Sequence, residues 1–144
     1  MQLHRYYPLL GLLAAMSLQA AENAQITIVD TGSTNRPGFQ VTTNAHGSAQ
    51  VEGRGVEPHT IQLNRDLCQR LLASVQAAAP LQALPAAHCL KSVSFGSRLF
   101  VEYKGKRSPD LSCPVQQDPQ VEALKQQAMA VLKAARPASA LQKR

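Results

Sequence analysis

The residues in this 144-residue chain with the greatest capacity for chemistry are one aspartate, three cysteines, four histidines and a late cluster of cations. Asp30 stands in Ile28-Val29-Asp30-Thr31-Gly32-Ser33-Thr34-Asn35, a carboxylate after two apolar residues and before hydroxyls and a glycine. Two such carboxylates held close together cannot both ionise, so one serves as acid and the other as base towards an attacking water. Cys68, Cys89 and Cys113 make an odd set that allows one bridge and one leftover thiol, in three pairings. No CxxC spacing supports thiol exchange. His46, His59 and His88 lack zinc spacing to another ligand, so no metal is expected. Ser94 and Ser97 flank Phe95-Gly96 without a Gly-x-Ser-x-Gly elbow and read as hairpin residues rather than nucleophiles. No phosphate-cradling glycine loop occurs, and no cofactor is expected. Arg98, Lys104, Lys106 and Arg107 form a basic set suited to anionic headgroups, surface polysaccharide or an acidic protein. The competing account of these four is a solvated hairpin end.

The Asp-Thr-Gly-Ser run resembles the active-site segment of aspartic proteases, which implies a catalytic role for Asp30 with Thr31, Gly32 and Ser33 around it. Only one such run is present, so activity would require a homodimer that contributes Asp30 twice. No apolar-apolar-Gly element follows to complete the active-site turn, and Arg36-Pro37-Gly38 reads as an ordinary strand connection. Asp, Ser, Thr and Asn also bond to their own backbone in glycine-containing turns, and that is the expectation adopted for 30–35.

The elements that must position these groups follow from hydrophobic period. Residues 25–30, 39–43 and 49–53 alternate as strands, with turn formers at 31–38 and 44–48 between them. A fourth strand over 57–63 contains Pro58, which suits an edge position. The period then lengthens to about 3.6. Asn64 is a helix N-cap, Leu63 can pack on Cys68 as a hydrophobic staple, and Leu67, Leu71, Leu72 and Val75 form the buried face up to Pro80. A hairpin is predicted next, with Val93 and Phe95 on one arm, Leu99, Val101 and Tyr103 on the other, and Gly96-Ser97 as its turn. Asp118 caps a second helix with Pro119 at its first position, and Val121, Leu124, Ala128, Leu132 and Ala135 line its apolar face. The order strands, helix, hairpin, helix makes the fold class α+β. The expected architecture is an antiparallel sheet of about four to five strands with two helices on one face.

Composition bears on compartment. Residues 9–18 form an apolar stretch of about ten residues behind His4 and Arg5, the size of a signal-peptide core, with cleavage expected near Ala20. The expected organisation is a signal peptide at 1–20, one domain at 21–137 and a basic flexible tail at 138–144. The protein is then exported, periplasmic or secreted, with no transmembrane span. In such a compartment Cys89 and Cys113, on either side of the predicted hairpin, are the favoured bridge, which leaves Cys68 as a buried thiol. Cys68 bridged to either partner is the alternative. With a formal charge of +6 the chain is basic, but it has no Trp, three Phe and three Tyr, too few aromatics for a nucleic-acid stacking surface.

Three segments together resemble a group of small exported bacterial proteins of unknown function. They are Asp30-Thr31-Gly32-Ser33-Thr34-Asn35 with Pro37-Gly38-Phe39, Cys89-Leu90-Lys91-Ser92-Val93-Ser94-Phe95-Gly96, and Ser108-Pro109-Asp110-Leu111-Ser112-Cys113. The resemblance spans about residues 26–113 and the terminal helix. It implies an exported domain, carries no activity or substrate, and marks Cys89 and Cys113 but not Cys68. The functional expectation is a non-enzymatic binding or accessory domain of the cell envelope or secretome, whose partner is an envelope protein or an anionic surface component. A dimeric acid protease using Asp30 and a structural envelope protein without a specific ligand are the alternatives.

Overall fold

The computed structural model describes residues 23–113 and 118–136. The expected signal peptide and most of the expected tail lie outside them. Six strands form one antiparallel sheet: β1 (Ile26–Ser33), β2 (Arg36–Thr43), β3 (Ser48–Gly53), β4 (Val56–Gln62), β5 (Leu99–Tyr103) and β6 (Lys106–Arg107). Their order across the sheet is β4-β3-β2-β1-β5-β6. Two helices, α1 (Arg65–Ala78) and α2 (Pro119–Ala135), complete an α+β fold, and the two-residue β6 takes the strand number just past the expected four to five. No described helix is long and apolar enough to cross a membrane.

Strand alternation sets the core. Ile26, Ile28, Phe39, Val41, Ala49, Val51, Leu99, Val101 and Tyr103 point to one buried face. Leu71, Leu72 and Val75 of α1 and Leu124, Val131 and Leu132 of α2 join the same apolar cluster. The opposite face is polar: Thr27 and Thr42 pair through their hydroxyls at 3.0 Å, and the Gln40 amide donates to Glu52 at 3.1 Å. An antiparallel sheet with one solvated face shows this kind of alternation. Both helices begin where their caps specify. The Asn64 carboxamide oxygen accepts from the N–H groups of Asp66 and Leu67, and the Asp118 carboxylate accepts from those of Gln120 and Val121. Each cap stabilises its helix by about 1 kcal/mol.

Two local expectations are corrected. Thr31-Gly32-Ser33 and Arg36-Pro37-Gly38 are strand rather than turn, because β1 continues to Ser33 and β2 begins at Arg36, which pairs with it, leaving only Thr34-Asn35 to reverse the chain. Gly32 permits this with φ near +66°, where a side chain would collide with the backbone of Gly38. The second correction concerns the hairpin. Residues 93–95 form a turn, not an arm, and the hairpin is β5 with β6 around Lys104-Gly105. Lys104 and Gly105 both have positive φ, the conformation that a two-residue hairpin turn needs. The physical reason is that β5 has two edges and both are occupied. One pairs with β1 from Asp30↔Leu99 to Ile26↔Tyr103. Along the other, the Ser108 hydroxyl accepts from Val101 N–H, Asp110 Oδ1 accepts from Leu99 N–H, and Leu111 N–H donates to Leu99 O. No edge remains for 93–95. At the far side of the sheet β4 is the edge strand, with Pro58 within it.

Candidate interaction site

β1 and β3 run towards the end of the sheet that carries the β1–β2 and β3–β4 turns, and β5 starts there. The three segments singled out in the sequence meet at this end. The loop 89–98 lies against the end of β1. Thr31 N–H donates to Arg98 O, and the Thr31 hydroxyl accepts from Arg98 N–H, each at 3.0 Å. Val93 O accepts from both the N–H and the hydroxyl of Thr34, and Ser94 O accepts from Asn35 N–H. Within the loop, Gly96 N–H donates to Ser92 O at 2.6 Å.

A half-buried ion pair clamps the loop from below. The Lys91 ammonium donates to Asp110 Oδ2 and to Ser97 O, both at 2.8 Å, and to the Ser112 hydroxyl. Asp110 Oδ1 accepts in addition from the N–H groups of Leu99 and Ser112 and from the Ser112 hydroxyl. Burial alone would raise the Asp110 carboxyl. The hydrogen bonds from Lys91, from Ser112 and from the Leu99 N–H outweigh it and bring its pKa down from 3.8 to about 2. A disulfide joins Cys89 to Cys113 with a Cα–Cα distance of 5.5 Å, so the segments holding Lys91 and Asp110 are also covalently linked. Cys68 is a buried free thiol in α1, with its sulfur 3.5 Å from the Thr43 hydroxyl.

The two groups at this end with the most capacity for chemistry, Lys91 and Asp30, are both engaged. A lysine beside a serine hydroxyl can act as a base only when neutral. Here the three ammonium protons of Lys91 each have an acceptor, one of them a carboxylate. Asp30, buried at the rim of the core, is likewise engaged. Its oxygens accept from Gly32 N–H at 2.9 Å and from Arg36 Nη2 at 3.1 and 2.8 Å. Arg36 also donates to the Ser97 hydroxyl at 2.8 Å, tying the end of β1 to the loop. Asp30 is thus tied to its own strand through Gly32 and to the loop through Arg36. No group of three or more His, Cys, Asp or Glu able to hold a metal occurs among the described residues.

The loop so clamped displays three large apolar side chains. Leu90, Val93 and Phe95 keep 105%, 82% and 79% of their reference exposure. Isolated exposed apolar residues are ordinary, but here three fall within six residues of one braced loop. Arg98 sits exposed at the same end. Lys104, Lys106 and Arg107 do not join it: β5 separates Arg98 from Lys104 by roughly 20 Å at strand rise. Arg107 stacks over Phe100 at 4.1 Å and pairs with Glu102 at 3.3 Å, while Lys104 lies 5.2 Å from the centre of the Tyr103 ring. The four sequence-selected cations are thus one at the loop and three at the opposite end.

Sequence reasoning missed the Lys91–Asp110–Ser112 clamp. Its available signal was one lysine and one aspartate placed two and three residues from the two cysteines of a candidate bridge. Comparison with family models, with curated proteins and with solved structures finds no match to the chain.

Proposed function

We propose that the chain is a non-catalytic binding domain that works outside the cytoplasm and docks on a component of the cell envelope through the 90–98 loop. The observation that carries this reading is the display of Leu90, Val93 and Phe95 on a loop whose backbone and flanks are held by an ion pair, a disulfide and bonds to β1. Holding the loop before contact lowers the entropy lost on binding. The disulfide supports an oxidising compartment, where such bonds persist. The Arg36 pairing of Asp30 favours this reading over an acid protease, and the exposed apolar loop favours it over a structural protein without a ligand.

A photo-crosslinking amino acid placed at position 95, and separately at position 104, tests it in the exporting host. Adducts formed from position 95 and lost when Lys91 and Asp110 are both replaced by Ala are the expected result. Adducts at position 104 alone would move the contact to the basic end of the sheet, and none at either would remove the binding reading.

A further inference from the structure

Three observations bear on what the 90–98 loop meets. The first is exposure. Leu90, Val93 and Phe95 stand largely in solvent, and nothing described shields them. Exposed apolar side chains find cover on protein only in a matching groove, whereas the fluid interface of a bilayer adapts to them. The second is the state of the loop backbone. Ser92 O, Val93 O, Ser94 O and Ser97 O already accept hydrogen bonds, from Gly96, Thr34, Asn35 and Lys91 respectively. Four of the loop's carbonyls are thus satisfied before contact, which lowers the cost of bringing it to an apolar boundary, where each unsatisfied group costs several kcal/mol, while those of Leu90 and Phe95 have no such bond among the described residues and stay at the hydrated headgroup level. The third is charge. Asp30 and Asp110, which bond at the base of the loop, are each paired with a cation, and Glu52, near Arg54, accepts from the Gln40 amide. Arg98 beside the loop and Arg54 in the β3–β4 turn at the same end make no ion pair among the described residues.

Resting on the binding reading, we infer that the loop inserts Leu90, Val93 and Phe95 into the interface of an anionic phospholipid bilayer, with Arg98 and Arg54 against the headgroups. Insertion removes the apolar tip from water without breaking the clamp beneath it, and the arginines bias it towards anionic lipid. The basic character of the chain, +6 in full and +5 without Arg5 of the expected signal peptide, acts in the same direction at long range.

The test is co-sedimentation of the exported protein with vesicles of phosphatidylcholine containing one third phosphatidylglycerol, and with vesicles of phosphatidylcholine alone. Binding to the anionic vesicles is expected. It should fall at least tenfold when Leu90, Val93 and Phe95 are all replaced by Ser, and several-fold in Arg98→Glu. The serine variant should keep the parent melting temperature, since these side chains are exposed. Because the chain has no Trp, Phe95→Trp supplies a single reporter, whose emission should shift to the blue on the anionic vesicles. Equal binding by the parent and the folded serine variant would overturn insertion, as would an unshifted emission in vesicle-bound F95W. Absence of vesicle binding with tip-dependent crosslinks to a protein in the host would refute the lipid inference and leave the binding reading standing. Absence of both would end both.

Discussion

Replacing Asp110 by Asn keeps the shape of the clamp and removes its charge. The carbonyl oxygen of Asn can still accept from Leu99 and Ser112 N–H, but Lys91, with only 18% of its side chain exposed, loses its ionic partner. The Asp110 pKa stands at about 2 against an ordinary 3.8. At about 1.4 kcal/mol per pH unit the difference corresponds to about 2.5 kcal/mol, which solvent screening of a half-buried pair reduces to about 2 kcal/mol of native stability. The sign follows from the direction. A pKa depressed by folding contributes fully above the unfolded value, near pH 4, and the contribution is lost as pH falls through about 2. Urea unfolding of the oxidised protein should therefore show Asp110→Asn about 2 kcal/mol less stable at pH 7. The gap should narrow to roughly half near pH 3 and nearly close near pH 2. At pH 7 it should appear as a melting temperature lower by about 8 °C. A gap of the same size at pH 7 and pH 2, or none at pH 7, would refute the claim that the Lys91–Asp110 charge pair holds the loop.

Other perturbations test the neighbouring parts. Replacing Cys89 and Cys113 together by Ser opens a link across a sequence separation of 24 and should cost about 3 kcal/mol in chemical unfolding. Amide exchange should then accelerate most in residues 90–97. Gly32→Ala and Gly55→Ala both place a side chain at positive φ, yet their costs should differ. A Cβ at Gly32 would lie 2.2 Å from the Gly38 nitrogen and should cost about 3 kcal/mol or more, whereas one at Gly55 meets nothing within 4 Å and should cost about 1 kcal/mol. Equal penalties by thermal melts would mean that the two backbones do not approach at Gly32. Tyr103→Phe removes a buried hydroxyl with no hydrogen-bond partner among the described residues and should leave stability unchanged or raise it by about 1 kcal/mol. A loss of more than that would reveal a partner for the hydroxyl. Asp30→Asn should weaken the fold by about 1 kcal/mol, a figure kept small because 43% of the Arg36 side chain is exposed. Purified parent and variant should be equally inactive on an unfolded protein at acidic pH, and cleavage by the parent alone would restore the protease reading.

Most of the architecture was legible in local pattern, because local pattern is what periodicity records. Alternation at Ile26 and Ile28 and at Phe39 and Val41 marked inward faces that bury as expected. Asn64 and Asp118 announced their helices because a cap acts on N–H groups two and three residues away. Pro58 pointed to an edge because it cannot donate within a ladder. The Val93–Phe95 alternation pointed the wrong way, since a two-residue period in so short a stretch does not reveal whether a neighbouring strand has an edge to spare. That depended on β1 occupying one edge of β5 and residues 106–111 the other, a fact of topology. The site was hidden for the same reason. Lys91 and Asp110 lie 19 residues apart, and Arg36, which holds Asp30, meets Ser97 across 61 residues. The sequence by itself determined which residues face inward, where the helices start and which side chains carry charge, all set by neighbours within a few positions. Only the tertiary structure decided that three distant segments share one end of the sheet, that their charges satisfy one another, and that Leu90, Val93 and Phe95 are left outside. An ion pair and an exposed surface depend on distances through space, which sequence spacing does not contain.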